Sequence, residues 1–296
     1  MLTPNLSIKT DDLPGLHDAA NSASIEGQHQ FIRASMIKLG LAAAAAIVSA
    51  FIGSGGVSDY LAYLVAVLFI GVLCAEAWIW AQKPEDTWYD GRALAESSKT
   101  MAWRFTVGAA PYSKSDASSE QRFVQDLRNL LDDGPQTDIH PSDKPVISEQ
   151  MREVRRQDLA ERQAIYIRDR IDDQIGWYKK KADISRRRSN QWRMALIAAE
   201  GVGIFAAFSR ASGGTDLDLA GIVAAFVGAG AAWLSIRQHD GLRRAYTYAN
   251  QELSMVRNSL ESCGDDSEWE QLVADAEEAI SREHTMWRAS RSTTLG

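Results

Sequence analysis

The chain has 296 residues, 24% of them charged and 45% apolar, with a formal net charge of −7. That balance lacks the basic surplus a phosphate-binding surface needs, so nucleic acid is excluded as a partner. The cysteines, Cys74 and Cys263, make neither a metal-ligand spacing nor a disulfide framework, which suits a reducing cytoplasm.

Residues 1–30 read as a flexible N-terminal segment, polar and broken by Pro4 and Pro14-Gly15, without the apolar core of a secretory signal. From Ile25 a short helix leads through Phe31 and Arg33 into an apolar run over 36–52. Gly53–Gly56 and Asp59 make a turn, and a second apolar run covers 61–80, closing on Trp78 and Trp80 as at a membrane interface. Arg33, Lys38, Lys83, Arg92 and Lys99 lie on the open side of this hairpin.

Beyond it, Trp88, Arg92, Glu96, Lys99 and Trp103 recur at spacings of four, four, three and four, so one helix face carries them all. Arg92–Glu96 and Glu96–Lys99 can pair along that face. This face, continued by Arg104, reads as an interfacial helix set against the membrane surface or a neighbouring subunit. Residues 113–119 are a polar loop, and Phe123, Leu127 and Leu130 sit at helical spacing in the helix after it. The stretch 133–147, with Pro135, Pro141 and Pro145, is a linker between a first hairpin domain over 31–132 and a second over 148–296.

The second domain opens on one long charged helix over 148–190. Ala164, Ile167, Ile171, Ile175, Tyr178, Ala182 and Ser185 keep a three/four spacing along it. Two apolar runs, 194–208 and 219–236, then flank a turn containing Gly213, Gly214, Asp216 and Asp218. At about 1.5 Å per residue each reaches roughly 22–27 Å, near the thickness of a bilayer's hydrocarbon core. Lys179–Lys181, Arg186–Arg188 and Arg193 precede this hairpin and Arg237, Arg243 and Arg244 follow it, whereas its turn holds only Arg210. Excess Lys and Arg marks the cytoplasmic side, so both termini are expected inside. Leu242, Tyr246, Ala249, Leu253, Val256 and Leu260 form a coiled-coil seam that can pack antiparallel on the first charged helix as a cytosolic stalk. A last amphipathic helix carries Trp269, Val273, Ala276, Ile280 and Trp287 and folds back on the stalk.

Two features of the spans bear on function. Glu76 and Glu200 fall roughly 6–9 Å inside the cytoplasmic boundary, where carboxylates are costly and face a polar cavity or a counter-ion. Either they stand at a pore mouth or they are neutralised locally, Glu76 by Lys38 and Glu200 by Arg193. Ala220, Ala224, Gly228 and Ala232 form one row of small residues, with Gly221, Ala225 and Ala229 beside it. Such rows let helices approach closely in lipid and point to a homo-oligomer. No phosphate loop, nucleophile elbow or zinc-binding helix is present. The expectation is a protein without catalytic residues, cofactor or metal.

Three places resemble the SLATT family, the SMODS- and SLOG-associating two-transmembrane effector domains of bacteria, in tandem. They are Trp88…Gly91-Arg92-Ala93…Ala95-Glu96-Ser97…Lys99…Trp103-Arg104-Phe105, then Trp177-Tyr178…Lys181, and the tail Glu277…Ile280-Ser281-Arg282-Glu283-His284…Trp287. The resemblance implies an all-α membrane protein of two transmembrane hairpins, four spans in all, in the bacterial inner membrane. It further implies a pore-forming effector of a nucleotide-signalled anti-phage system, with a signalling nucleotide or sensor protein as partner. The alternative is a non-conducting scaffold that recruits cytosolic defence proteins to the membrane.

Overall fold

Helix forms wherever the chain carries an unbroken apolar run or apolar residues at a 3.6-residue period, and no strand occurs among the described residues. The structure is a computed structural model that describes residues 6–52, 58–134, 139–215 and 217–292, without the side chains of Ser58 and of 282–292. The glycine turn expected at 53–56, Asp216 and part of the proline stretch lie outside the described residues. The helices are α1 (Gly15–Ser49), α2 (Ser58–Gln82), α3 (Pro84–Val107), α4 (Ser119–Asp133), α5 (Glu149–Arg156), α6 (Leu159–Tyr166), α7 (Asp173–Ala211), α8 (Leu219–Arg237), α9 (His239–Ser262) and α10 (Asp266–Ser292). Four helical stretches among the described residues are long and apolar enough to cross a membrane, within Gly15–Ser49, Asp59–Val107, Leu159–Ala211 and Leu219–Ser262.

The chain forms two compact units that do not follow chain order. One comprises residues 1–28, 85–182 and 244–296; the other comprises 29–84 and 183–243. The first has a conventional apolar core. Phe105 stacks on Phe123 at 4.6 Å, Tyr112 meets Phe123 edge-on at 5.5 Å, and Tyr166 lies edge-on to both Trp103 and Trp269. Trp269, Val273, Ala276 and Ile280 of α10 are all buried there, so the last helix does fold into this core.

Helix α3 ends in a Schellman turn. The Gly108 backbone adopts φ +70°, its N–H donates to Phe105 O, and Ala109 N–H donates to Arg104 O at 2.8 Å. Side chains also reach the carbonyls of this turn: Val107 O accepts from Arg162 Nη1 and Trp269 Nε1, and Phe105 O accepts from Arg155 as well. The last turn of α3 is thereby tied to α5, α6 and α10.

Three expectations need correction. The N-terminal segment is ordered from Leu6 onward: Ile8 and Leu13 are buried, and α1 begins at Gly15, ten residues before Ile25. Gly15 N–H donates to Pro145 O, and Lys144 pairs with Asp18 in the first turn at 2.9 Å. The helix expected over 148–190 is interrupted. Gln157 is extended (ψ 162°), Asp158 caps α6 by accepting from Glu161 N–H, and a π-helical turn over Ile167–Asp172 separates α6 from α7. The face of α3 read as interfacial is instead buried within the first unit, with Trp88 and Trp103 at 8% and 3% exposure. Two tryptophans on one face serve a protein core as well as they serve an interface.

Tyr246 packs on Trp177 at 5.3 Å, Asn250 donates to Ile175 O, and Arg257 pairs with Asp172, so the start of α7 and α9 run antiparallel.

The second unit holds the membrane hairpins, whose apolar side chains stand largely uncovered: Phe69, Ile70 and Leu73 on α2, and Ile204, Phe205 and Phe208 on α7. Apolar exposure this dense belongs against lipid. Close approach within each hairpin uses glycines outside the predicted rows. A Cβ on Gly71 would meet Leu41 at 2.9 Å, one on Gly203 would meet Val223 at 3.2 Å, and one on Gly230 would meet Leu196 at 2.8 Å.

Two glycines give a test. On α3, a Cβ at Gly91 would lie 2.9 Å from both Ala20 O and Ser24 N, backbone atoms of α1 that cannot swing away. Gly91→Ala should therefore lower stability by about 1–3 kcal/mol. Gly176 on α7 has open space around it, and Gly176→Ala should raise stability by about 0.5–1 kcal/mol. Thermal unfolding of the detergent-solubilised protein checks both signs.

Candidate functional site

The predicted α3 face leads to the most unusual group in the first unit, a cluster of buried charges. Glu277 on α10 is 0% exposed and Arg170 in the π turn is 1% exposed. They meet in a two-point salt bridge, Arg170 Nε to Oε1 at 2.8 Å and Nη2 to Oε2 at 2.7 Å. Tyr166 donates to Oε1 at 3.0 Å and Thr100 of α3 to Oε2 at 3.0 Å. Four donors on one carboxylate satisfy its lone pairs, which is what makes a buried charge tolerable. The guanidinium is held above its already high ordinary pKa: burial alone would depress it, and the Glu277 charge and hydrogen bonds outweigh that.

The π turn supplies the geometry. It widens the buried face so that Tyr166 and Arg170 point inward together with Ile167 and Ile171, all at 9% exposure or less. Around this core pair sit the other predicted residues. Arg92 pairs with Glu96 at 2.8 Å, and Arg104 Nη2 donates to Ala274 O at 2.8 Å. Lys99 stands beside Arg92, Glu96, Arg170 and Glu277. Its pKa is lowered to about 8, chiefly by burial and then by the Arg170 charge, against an opposing pull from Glu96. His17 of α1, bonded to Ala95 O at 2.9 Å, is lowered by burial. Of the predicted tail residues, Glu277 belongs to the cluster, while the side chains of Glu283, His284 and Trp287 lie outside the described residues.

The membrane glutamates differ from each other. Glu76 pairs with Lys38 at 2.6 Å. Arg193 pairs instead with Asp240, which also accepts from Ser189. Glu200 is exposed on α7 and has no ion pair among the described residues. On α8, Gly221, Ala224 and Gly228 are exposed, while Ala220, Ala225, Ala229 and Ala232 are partly covered. Gly228 has nothing within reach of a Cβ.

A family model described as SMODS and SLOG-associating 2TM effector domain 3 (SLATT_3) matches residues 14–163. A second, described as SMODS and SLOG-associating 2TM effector domain 1 (SLATT_1), matches residues 166–287. The chain is a tandem SLATT-family protein. No curated protein and no solved structure matches it. The two SLATT matches meet at 163/166, at the end of α6, and the proline-bearing stretch falls inside the first. Thr100 comes from the SLATT_3 match and Tyr166, Arg170 and Glu277 from the SLATT_1 match, so the buried cluster is built by both. Sequence reading picked out Glu277, Lys99 and the α3 face. It missed Arg170 and Tyr166, although Arg162, Tyr166 and Arg170 recur every four residues.

Removing one member of the pair should cost far more than removing both charges. Glu277→Met leaves Arg170 buried without its counter-ion, with an expected loss of about 3–5 kcal/mol. Arg170→Met with Glu277→Met should lose less than Glu277→Met alone. A double-mutant cycle by thermal unfolding measures the difference.

Proposed function

We propose that this SLATT protein is an oligomeric, pore-forming effector of a bacterial nucleotide-signalled anti-phage system. It sits in the inner membrane with both termini in the cytoplasm. Its output is a change in membrane permeability and not a chemical step. The observation that carries this reading is Glu200, a carboxylate on the outer surface of a span with no counter-ion among the described residues.

Against lipid such a group is costly. Assembly about a symmetry axis would remove it from lipid and make a ring of carboxylates facing water, as in cation-selective channels. The uncovered Gly221, Ala224 and Gly228 offer neighbouring α8 helices a close approach. Glu76, already paired with Lys38, has a smaller claim on the conduction path. The antiparallel stretch of α7 and α9, read as a coiled-coil stalk, is where a sensor protein or a signalling nucleotide would act.

Reversal potentials under a salt gradient in planar bilayers test the reading. Glu200→Gln should reduce cation selectivity without reducing assembly, whereas Glu76→Gln strands Lys38 and should lower assembly more than selectivity. Unchanged membrane potential on induction, with a soluble defence protein recruited to the membrane, would establish the scaffold instead.

Orientation has its own test in a Cys74→Ser, Cys263→Ser background. Ser212→Cys, in the turn between α7 and α8, should react with an impermeant thiol reagent in intact cells. Ser267→Cys should react only after lysis. The reverse pattern overturns the topology.

A further inference from the structure

Charge balance in the cluster leaves Lys99 and Arg104 without a carboxylate, and Arg104 donates to Ala274 O. Glu96 is matched by Arg92 and Glu277 by Arg170. Lys99 is half-buried and makes no hydrogen bond or ion pair among the described residues. It lines a cavity of about 320 Å³, within the size range of small-ligand sites.

Apolar walls come from Ile8, Leu13 and Trp103, and Lys9 and Thr10 lie at exposed positions around it. Two carboxylates also border the cavity. Asp169 is already engaged, by Arg168 at 2.6 Å and by Ile8 N–H at 3.0 Å, and its pKa is lowered despite its burial. Asp173 is exposed at the start of α7. With Lys9, Lys99 and Arg168 against Asp169 and Asp173, the cavity carries a surplus positive charge.

We propose that this cavity binds a small organic phosphate of mononucleotide size or less, its phosphate on Lys99 and its carbon body against Ile8, Leu13 and Trp103. A phosphate monoester carries close to two negative charges and three acceptor oxygens. It would give the Lys99 ammonium a charged acceptor and would draw Lys9 from the rim. The site is independent of whether the protein conducts.

The groups facing Lys99 set the pH dependence. Arg92 and Arg170 disfavour its charged form, Glu96 and Glu277 favour it, and His17, kept neutral by burial, adds little. Arg168 is held above its ordinary range and Asp169, despite its burial, below its own, chiefly by their mutual contact, so both stay charged between pH 7 and 9. The phosphate stays dianionic across that interval, because its second pKa lies near 6. Binding requires the ammonium form, and in the free protein that form is lost as pH rises through about 8. Affinity should therefore fall about tenfold between pH 7 and 9.

Titration calorimetry of the detergent-solubilised full chain with AMP is the test. Binding tighter than about 1 mM, at least tenfold weaker in Lys99→Met, partly kept in Lys99→Arg and pH-dependent only in wild type, supports the site. Lys99→Met should not unfold the protein, because it removes a half-buried charge; its melting temperature at pH 7 should equal or exceed that of wild type. No AMP binding to wild type, equal binding to Lys99→Met, or a flat pH profile would overturn the proposal. Binding only to vesicles containing phosphatidic acid would likewise overturn the soluble ligand, because the phosphate would then belong to a lipid headgroup.

Discussion

A carboxylate with no exposed surface dictates much of the first unit. Once Glu277 is shut away from water, every lone pair must be met from within, and four donors from α3, α6 and the π turn converge on it. Each donor fixes its helix in rotation as well as in distance. Thr100 sets the turn of α3 that faces α10, and the same face then brings in Glu96 and Lys99. Arg170 reaches the carboxylate from a π turn whose buried face takes in two adjacent rows of side chains. A core of aliphatic residues would tolerate small rotations of its helices; a two-point guanidinium–carboxylate contact does not.

The second unit obeys a different rule because its surroundings are different. Lipid gives no hydrophobic reward for helix association, so the hairpins rely on close backbone approach. Gly71, Gly203 and Gly230 provide it, each with a side chain of the facing helix where a Cβ would stand. Charge is handled correspondingly. Lys38 and Glu76 neutralise each other along a span, whereas Arg193 and Asp240 pair beside the cluster of basic residues that borders the second hairpin.

Much of this was legible in the sequence. The apolar runs are long enough to announce four spans, and of the residues at three/four spacing on α7 and α9, Tyr178, Leu253 and Leu260 are buried in the core. The break after α5 was also written there, as Asp158 three residues before Glu161, a helix-start pattern lost inside a long charged stretch. Arg170 left a weaker trace, the four-residue spacing it shares with Arg162 and Tyr166. A buried arginine among Arg162, Arg168 and the carboxylates around them has the composition of a solvated face, and its counterpart lies 107 residues away. The same holds for the small-residue rows. Periodicity identifies them, but which glycine touches a helix and which faces outward depends on rotations that the sequence does not encode locally.

The interleaving of the units bears on how such a chain can be inherited. Each family match supplies one membrane hairpin to one unit and only part of the other unit. The two matched halves are therefore not interchangeable parts. Thr100 and Arg104 on one side answer to Glu277 and Ala274 on the other, and Val107 accepts from Arg162 and from Trp269, far along the chain. Recombination that replaced either half with that of a distant cousin would preserve every span and still strip hydrogen-bond partners from the core. Descent in this architecture is tied to the two halves together, which must drift in step.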